Sequence, residues 1–323
     1  MSPTSTRFRR LVLVTLVATY ALIIVGGIVR ATGSGDACPD WPRCHGELLP
    51  PLERDVLIEF SHRLVASLVG FLVLGTAIAA WRWERQNRVA SWGSTFAVGL
   101  VIGQIVLGGV TVLNDLSANL VMAHLSMAAA LLATLLVIAV ASYRPLGRLD
   151  LRGPGVSFRN LAAIAAVATF LLMLTGSYVS GSGAGLAFRD WPLFDGRLMP
   201  DGGRLAMIHF THRLAAAAGG LLIVYLAVQA WRTQRAFPPV VLASTLALVI
   251  YVAQVFVGAA NIWTLLQPAA RAAHLSVAVA LWATLVAAAL FANQAAQEAP
   301  ARTIEPLSRR DAAPGAVPAQ RVS

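Results

Sequence analysis

Within one apolar run the sequence places a carboxylate, an imidazole and a guanidinium at Glu59, His62 and Arg63. At i, i+3 and i+4 these residues share one face of a helix. Ionisable groups inside a membrane-length apolar segment are costly, and they mark function there. The carboxylate can accept a proton or stabilise a developing positive charge. The imidazole can ligate a metal, and the guanidinium is suited to pairing with carboxylates. The group returns 150 positions later as His209, His212 and Arg213, so that the imidazole and guanidinium are kept while Glu59 becomes His209.

A second pair of histidines obeys the same offset. His124-Leu125-Ser126 matches His274-Leu275-Ser276. His62 and His124 therefore form one set, and His212 and His274 another. Two imidazoles approaching a metal from opposite sides suit the iron of a haem, whereas a bare zinc or copper site wants further ligands. The competing reading is that each histidine is a polar group satisfied by a neighbouring helix. Arg63 and Arg213, which follow the candidate ligands directly, read either as partners of haem propionates or as arginines reaching to the membrane interface. His45, opposite Asp195 in the repeat, reads as a solvated loop residue.

These side chains need a scaffold. Of the 323 residues, 57% are hydrophobic and 12% charged, and the apolar residues come in runs near twenty. Such runs are long enough to cross a bilayer as helices. Eight spans are expected, at about 11–30, 56–81, 92–113, 119–142, 159–180, 205–231, 238–262 and 268–292. The first, longer than a signal-peptide core, is taken as a retained helix.

The net charge of +10 comes from arginine alone, without lysine. The arginines cluster in short segments between spans, including 82–90, 143–158 and 232–237, and in both termini. This is the positive-inside pattern rather than a nucleic-acid-binding face, and it makes both termini cytoplasmic. Exclusive use of arginine suggests a GC-rich bacterial genome, hence a bacterial plasma membrane. The two long loops, 31–55 and 181–204, then face outside.

The repeat extends through those loops. Gly33, Gly35, Asp40, Trp41, Pro42, Gly46 and Pro50 match Gly183, Gly185, Asp190, Trp191, Pro192, Gly196 and Pro200, and farther on Gln104 and Gly108 match Gln254 and Gly258. Four spans per unit insert both units the same way round. The expected fold is an all-α integral membrane protein. It has two parallel-repeat four-helix bundles related by a pseudo-two-fold axis along the membrane normal. The bundles would cover 1–150 and 151–293, with a disordered cytoplasmic tail over 294–323.

The halves differ at two places. Glu59 has no carboxylate partner in the second half, and Cys38 and Cys44 stand opposite Phe188 and Phe194. In an oxidising outer compartment the cysteines can form a disulfide, either as a loop staple or as a redox pair. The first bundle therefore reads as reactive, and the second as structural or electron-transferring.

Together, Glu-x-x-His-Arg in the second span, His124 in the fourth and their echo at His212 and His274 resemble the heme A synthase family, over about residues 10–292. The paired cysteines in the first outer loop are similar to those of bacterial members. The resemblance implies oxidation of the C8 methyl of heme O to a formyl group through a hydroxymethyl intermediate. His62 and His124 would bracket heme O, His212 and His274 would ligate haem b, and Glu59 would be catalytic. It further implies lateral entry of the farnesylated substrate from lipid and association with heme O synthase. The sequence names no electron acceptor. Two other readings of the residues are a di-haem cytochrome b that only carries electrons, and a transporter.

Overall fold

The computed structural model describes residues 4–47, 50–146 and 157–298. These form eight long helices, α1 (Thr6–Thr32), α2 (Arg54–Trp83), α3 (Arg88–Leu113), α4 (Ala118–Tyr143), α5 (Phe158–Gly181), α6 (Arg204–Thr233), α7 (Pro238–Trp263) and α8 (Pro268–Glu298). Each is long and apolar enough to cross a membrane. At 1.5 Å per residue even the 24 residues of α5 span the ~30 Å of a hydrocarbon core. The chain is an all-helical, multi-pass membrane protein.

Local signals set the helix starts. Ser5 Oγ accepts from Phe8 N, Asn87 Oδ1 from Ala90 N and Ser157 Oγ from Asn160 N, so one otherwise orphaned donor is satisfied each time. Prolines open α7 at its first positions, where their missing N–H costs nothing. Gly33, at φ 76°, closes α1 in the left-handed region.

The helices pack in sequence order and then close on themselves: α1 against α2, α2 against α3, α3 against α4, α4 against α1. The same closed ring runs through α5, α6, α7 and α8. Successive helices alternate in direction. Phe8 and Val12 at the start of α1, Ala79 and Ala80 at the end of α2, Ala90 at the start of α3 and Ile138 at the end of α4 form one buried cluster. The midsections of α2, α3 and α4 meet through Val69, Val73, Ala97, Leu131 and Leu135. Leu161, Leu226, Ala247 and Leu285 do the same for the second ring. A seam of Ile23, Leu132, Met173, Val279 and Trp282 joins the rings. Across it Tyr20 donates its hydroxyl to Ser276 O at 3.0 Å, and Arg271 donates to Ala31 O at 3.0 Å.

The boundary that departs most from expectation is the last. Helix α8 continues to Glu298, beyond the predicted end near 292. Gln294 donates to Arg144 O at 2.7 Å, and Gln297 lies on Pro145 O at 3.4 Å. These amides satisfy carbonyls at the end of α4 and give the last turn a reason to persist. The remainder of the expected tail, 299–323, and Arg148 and Arg152 of the basic segment lie outside the described residues.

Candidate functional site

In a ring of four, α2 and α4 lie on opposite sides, flanked by α1 and α3. His62 projects from α2 and its ring lies on Gly26 of α1: a Cβ at Gly26 would fall 3.1 Å from His62 Cε1. His124 projects from α4 and lies on Gly108 of α3, where a Cβ would fall 3.3 Å from its Cε1. The two imidazoles are within electrostatic range of each other. The second ring repeats the arrangement. His212 of α6 lies on Gly176 of α5 and His274 of α8 on Gly258 of α7, with the corresponding distances 3.1 and 3.0 Å, and this pair too is within electrostatic range. Each of the four expected histidines thus lies on a glycine of the neighbouring helix, where a Cβ would press its ring by a few tenths of an ångström.

Glutamines tie down the backbone behind two of these rings. Gln104 Nε2 donates to His124 O at 3.1 Å and Gln254 Nε2 to His274 O at 3.0 Å, which fixes α3 to α4 and α7 to α8 at the level of the imidazoles. His62, His124 and His274 keep a buried Nδ1 without a hydrogen-bond partner, as does His209, whose Nε2 accepts from Arg213. Buried polar nitrogens are ordinarily satisfied, so such rings suit a ligand. Among the described residues no cluster of three or more His, Cys, Asp or Glu could hold a metal ion. The donor set is two imidazoles per ring of helices, which fits a macrocycle-bound iron needing only axial ligands.

Glu59 is buried, with 4% of its surface exposed. Arg63 Nε donates to its Oε1 at 3.0 Å. The same guanidinium donates to Asp40 O at 2.8 Å, Arg43 O at 2.6 Å and Cys38 O at 3.1 Å. Four of its five N–H groups therefore bind the protein. Arg213 behaves alike: Nε donates to His209 Nε2 at 3.1 Å, NH1 to Leu193 O at 2.8 Å and NH2 to Asp190 O at 3.1 Å. His209 faces this arginine and the Phe188 ring, 5.5 Å away between centroids, while His212 occupies the glycine seat.

The arginines thereby clamp the two long loops onto the helix ends. Each loop is folded by an aspartate at matched positions. Asp40 accepts from His45 N at 2.6 Å and Gly46 N at 2.8 Å, and Asp190 from Asp195 N at 2.7 Å and Gly196 N at 2.8 Å. His45 (φ 56°) and Gly46 (φ 72°), like Asp195 and Gly196, are left-handed, a conformation these amide–carboxylate bonds hold in place. The N–H of Gly46 above all, then that of His45, keeps the Asp40 carboxyl below the usual carboxylate range despite some loss of solvent, and Gly196 and Asp195 do the same for Asp190. His45 itself is an exposed loop residue whose Nε2 lies 3.0 Å from Ala37 O.

Cys38 and Cys44 form a disulfide with a Cα–Cα distance of 4.8 Å, and both are fully buried against Val56 and Phe60. At the same positions in the second loop, Phe188 and Phe194 meet edge to face at 5.0 Å beneath the Arg213 guanidinium. One loop is pinned covalently and the other by an aromatic pair.

Three participants were not singled out from the sequence: Gly26, Gly176 and Thr175. Thr175 Oγ1 lies 2.8 Å from His212 Nδ1. The two glycines obey the 150-residue offset and could have been found by extending the repeat comparison into the first and fifth spans.

The chain matches the family model described as COX15-CtaA, cytochrome oxidase assembly protein, over residues 9–57 and 53–286. Among curated relatives, a heme A synthase of Shouchella clausii is 30% identical over 261 residues, 79% of this chain and 87% of that protein. One from Alkalihalophilus pseudofirmus is 30% identical over 226 residues, 69% and 75% of the two chains. One from Listeria monocytogenes is 27% identical over 289 residues, 87% and 93%. The similarity runs through both rings of helices and both clamped loops, and the chain belongs to the COX15-CtaA family of cytochrome oxidase assembly proteins.

Proposed function

We propose that the chain is a heme A synthase, oxidising the C8 methyl of heme O to a formyl group through a hydroxymethyl intermediate. The observation that carries this reading is the placement of one buried carboxylate. Both rings of helices have an imidazole pair, glycine seats and an arginine clamp, but only the first has Glu59 where the second has His209. A redox carrier with two equivalent sites gives no reason for that difference, whereas a site that alters its ligand does.

In this reading residues 1–150 are the reactive half. His62 and His124 bracket heme O, and the glycines beneath their rings leave no side chain between imidazole and helix. Glu59 would supply the carboxylate of the first site, able to accept a proton released as the methyl carbon is oxidised or to stabilise positive charge developing there. Arg63 keeps that carboxylate in one orientation through its Nε, and its one remaining N–H is available to a propionate. Residues 151–293 are the second half, where His212 and His274 hold haem b. When bound, haem b supplies a one-electron redox centre. Arg213 retains two N–H groups for a propionate of that haem. The Cys38–Cys44 disulfide keeps the first loop closed over the first half.

The farnesyl tail of heme O suits entry from lipid. The basic segments support a bacterial plasma membrane with cytoplasmic termini, and a heme O synthase is the expected supplier of the substrate.

The test is extraction of haem from membranes of a host that makes heme O and lacks its own heme A synthase, with and without this chain. Heme A, or the hydroxymethyl precursor, appearing only with the chain supports the synthase. Unchanged heme O together with haem b bound to the purified protein would make it an electron carrier.

A further inference from the structure

We infer that Thr175 is a positioning residue that pins His212 as a permanent ligand, and that Val25 at the matching position leaves His62 unpinned so that the first site can exchange its haem. The inference rests on the reading above, in which His212 holds haem b and His62 meets the substrate.

Thr175 lies on α5 immediately before Gly176, the residue on which the His212 ring is seated. Its hydroxyl has a single hydrogen and two neighbours, Leu172 O at 2.7 Å and His212 Nδ1 at 2.8 Å. A carbonyl oxygen can only accept, so Leu172 takes that hydrogen. The hydroxyl oxygen is then left to accept from His212, which places the imidazole proton on Nδ1. Nε2 consequently carries the free lone pair, the one an iron needs. A ligand imidazole that donates its other N–H is fixed in tautomer and rotation, and it is a stronger base toward the metal.

In the first half the residue before the matching glycine is Val25, followed by Gly26 under the His62 ring. Valine has nearly the shape of threonine and no hydroxyl. The seat is therefore kept while the hydrogen bond is not, and His62 Nδ1 is buried without a partner. His124 and His274 also have unpartnered Nδ1 atoms, and the His274 ring has only Gln254 Nε2 at 3.5 Å from its Nε2, so among the four candidate ligands His212 alone has its Nδ1 held. A half that retains its haem gains from a pre-oriented, strongly basic ligand. A half that must accept heme O and release heme A gains from a ligand that can turn and let go.

The full-length protein, purified from a host that makes heme O, is compared with Thr175→Val, Thr175→Ser, Val25→Thr and His212→Ala. The rate of haem b loss to a haem-scavenging protein and the reduction potential of bound haem b are measured without turnover. Thr175→Val should lose haem b about tenfold faster, the lower end of what an outer-shell partner of a ligand contributes. Its potential should move positive, because a weaker donor stabilises the ferric state less. Thr175→Ser, which keeps the hydroxyl, should restore both values. Val25→Thr should slow loss of heme O from the first half to the same scavenger by about tenfold, and an unchanged rate would overturn the role given to Val25. If Thr175→Val leaves loss rate and potential unchanged while His212→Ala sheds haem b, the positioning role is wrong and the ligand assignment stands. If His212→Ala retains haem b, the ligand assignment falls and the positioning role with it.

Discussion

Arg63 Nε donates to Glu59 Oε1 at 3.0 Å across one turn of α2, and the other end of the guanidinium grips the carbonyls of Cys38, Asp40 and Arg43. A single side chain thus joins the one carboxylate that distinguishes the first half to the disulfide loop above it. Arg213 makes the corresponding grip in the second half, with His209 in the place of the carboxylate.

Arg63→Leu should therefore cost stability as well as activity. The pair is largely buried, with 15% and 6% of the two side chains exposed. Removing one partner of a buried pair leaves the other charge uncompensated, typically a loss of about 3–5 kcal/mol. Thermal unfolding in detergent and limited proteolysis of the 31–53 loop should both report the change. A variant as stable and as protease-resistant as the wild type would mean that the clamp does not hold the loop.

Glu59→Gln keeps a hydrogen-bonding oxygen for Arg63 but removes the charge. We expect formation of heme A to fall by at least about a hundredfold, the scale of a positioned acid–base group, with haem b content unchanged. Haem chromatography of the same preparation reads both quantities. Normal product formation would remove Glu59 from the chemistry.

The glycine seats predict a steric series. A Cβ at Gly258 would lie 3.0 Å from His274 Cε1, tighter than at Gly108, where the distance to His124 is 3.3 Å. Gly258→Ala should displace its imidazole by a few tenths of an ångström, at a cost of about 1–3 kcal/mol. The absorption spectrum of haem b should shift and its retention weaken, while Gly108→Ala leaves haem b as it was. Equal effects of both substitutions on haem b would contradict the division between halves.

The loop should respond to acid. The carboxyl of Asp40 is held below its ordinary value of 3.8, chiefly by the Gly46 N–H. A depressed carboxylate contributes stability that is complete above its unfolded value and is lost as pH falls through the native one. Reduction of the Cys38–Cys44 disulfide by a phosphine, normalised to an unfolded peptide, should be slow and flat above about pH 4 and accelerate below it. Asp40→Asn should be reduced faster at every pH. Identical rates for the variant and wild type would show that Asp40 does not close the loop.

The spans were legible because apolar runs of membrane length alternate with arginine segments, and the histidine pairs because one offset relates them. What escaped was non-local or non-identical. Nothing in the order of residues says that the donors of Arg63 go to carbonyls of the preceding loop, and a propionate was the natural partner to expect for an arginine beside a haem ligand. Thr175 escaped because Val25 breaks the match: a comparison scored on identity passes over the position where the halves differ. From sequence the last turn of α8 reads as tail, because Gln294 and Gln297 look like the start of a polar segment. Their amides instead close the end of α4, a contact between residues some 150 positions apart.

The central claim, that heme O is altered in the first half while haem b is held in the second, is tested most directly by the haem content of three purified proteins. Wild type, His62→Ala and His212→Ala would be made in a host producing heme O, and their haems identified by mass spectrometry. The account predicts haem b with heme O or its oxidised products in the wild type, haem b alone in His62→Ala, and loss of haem b in His212→Ala. Loss of haem b from His62→Ala, or its retention in His212→Ala, would contradict it.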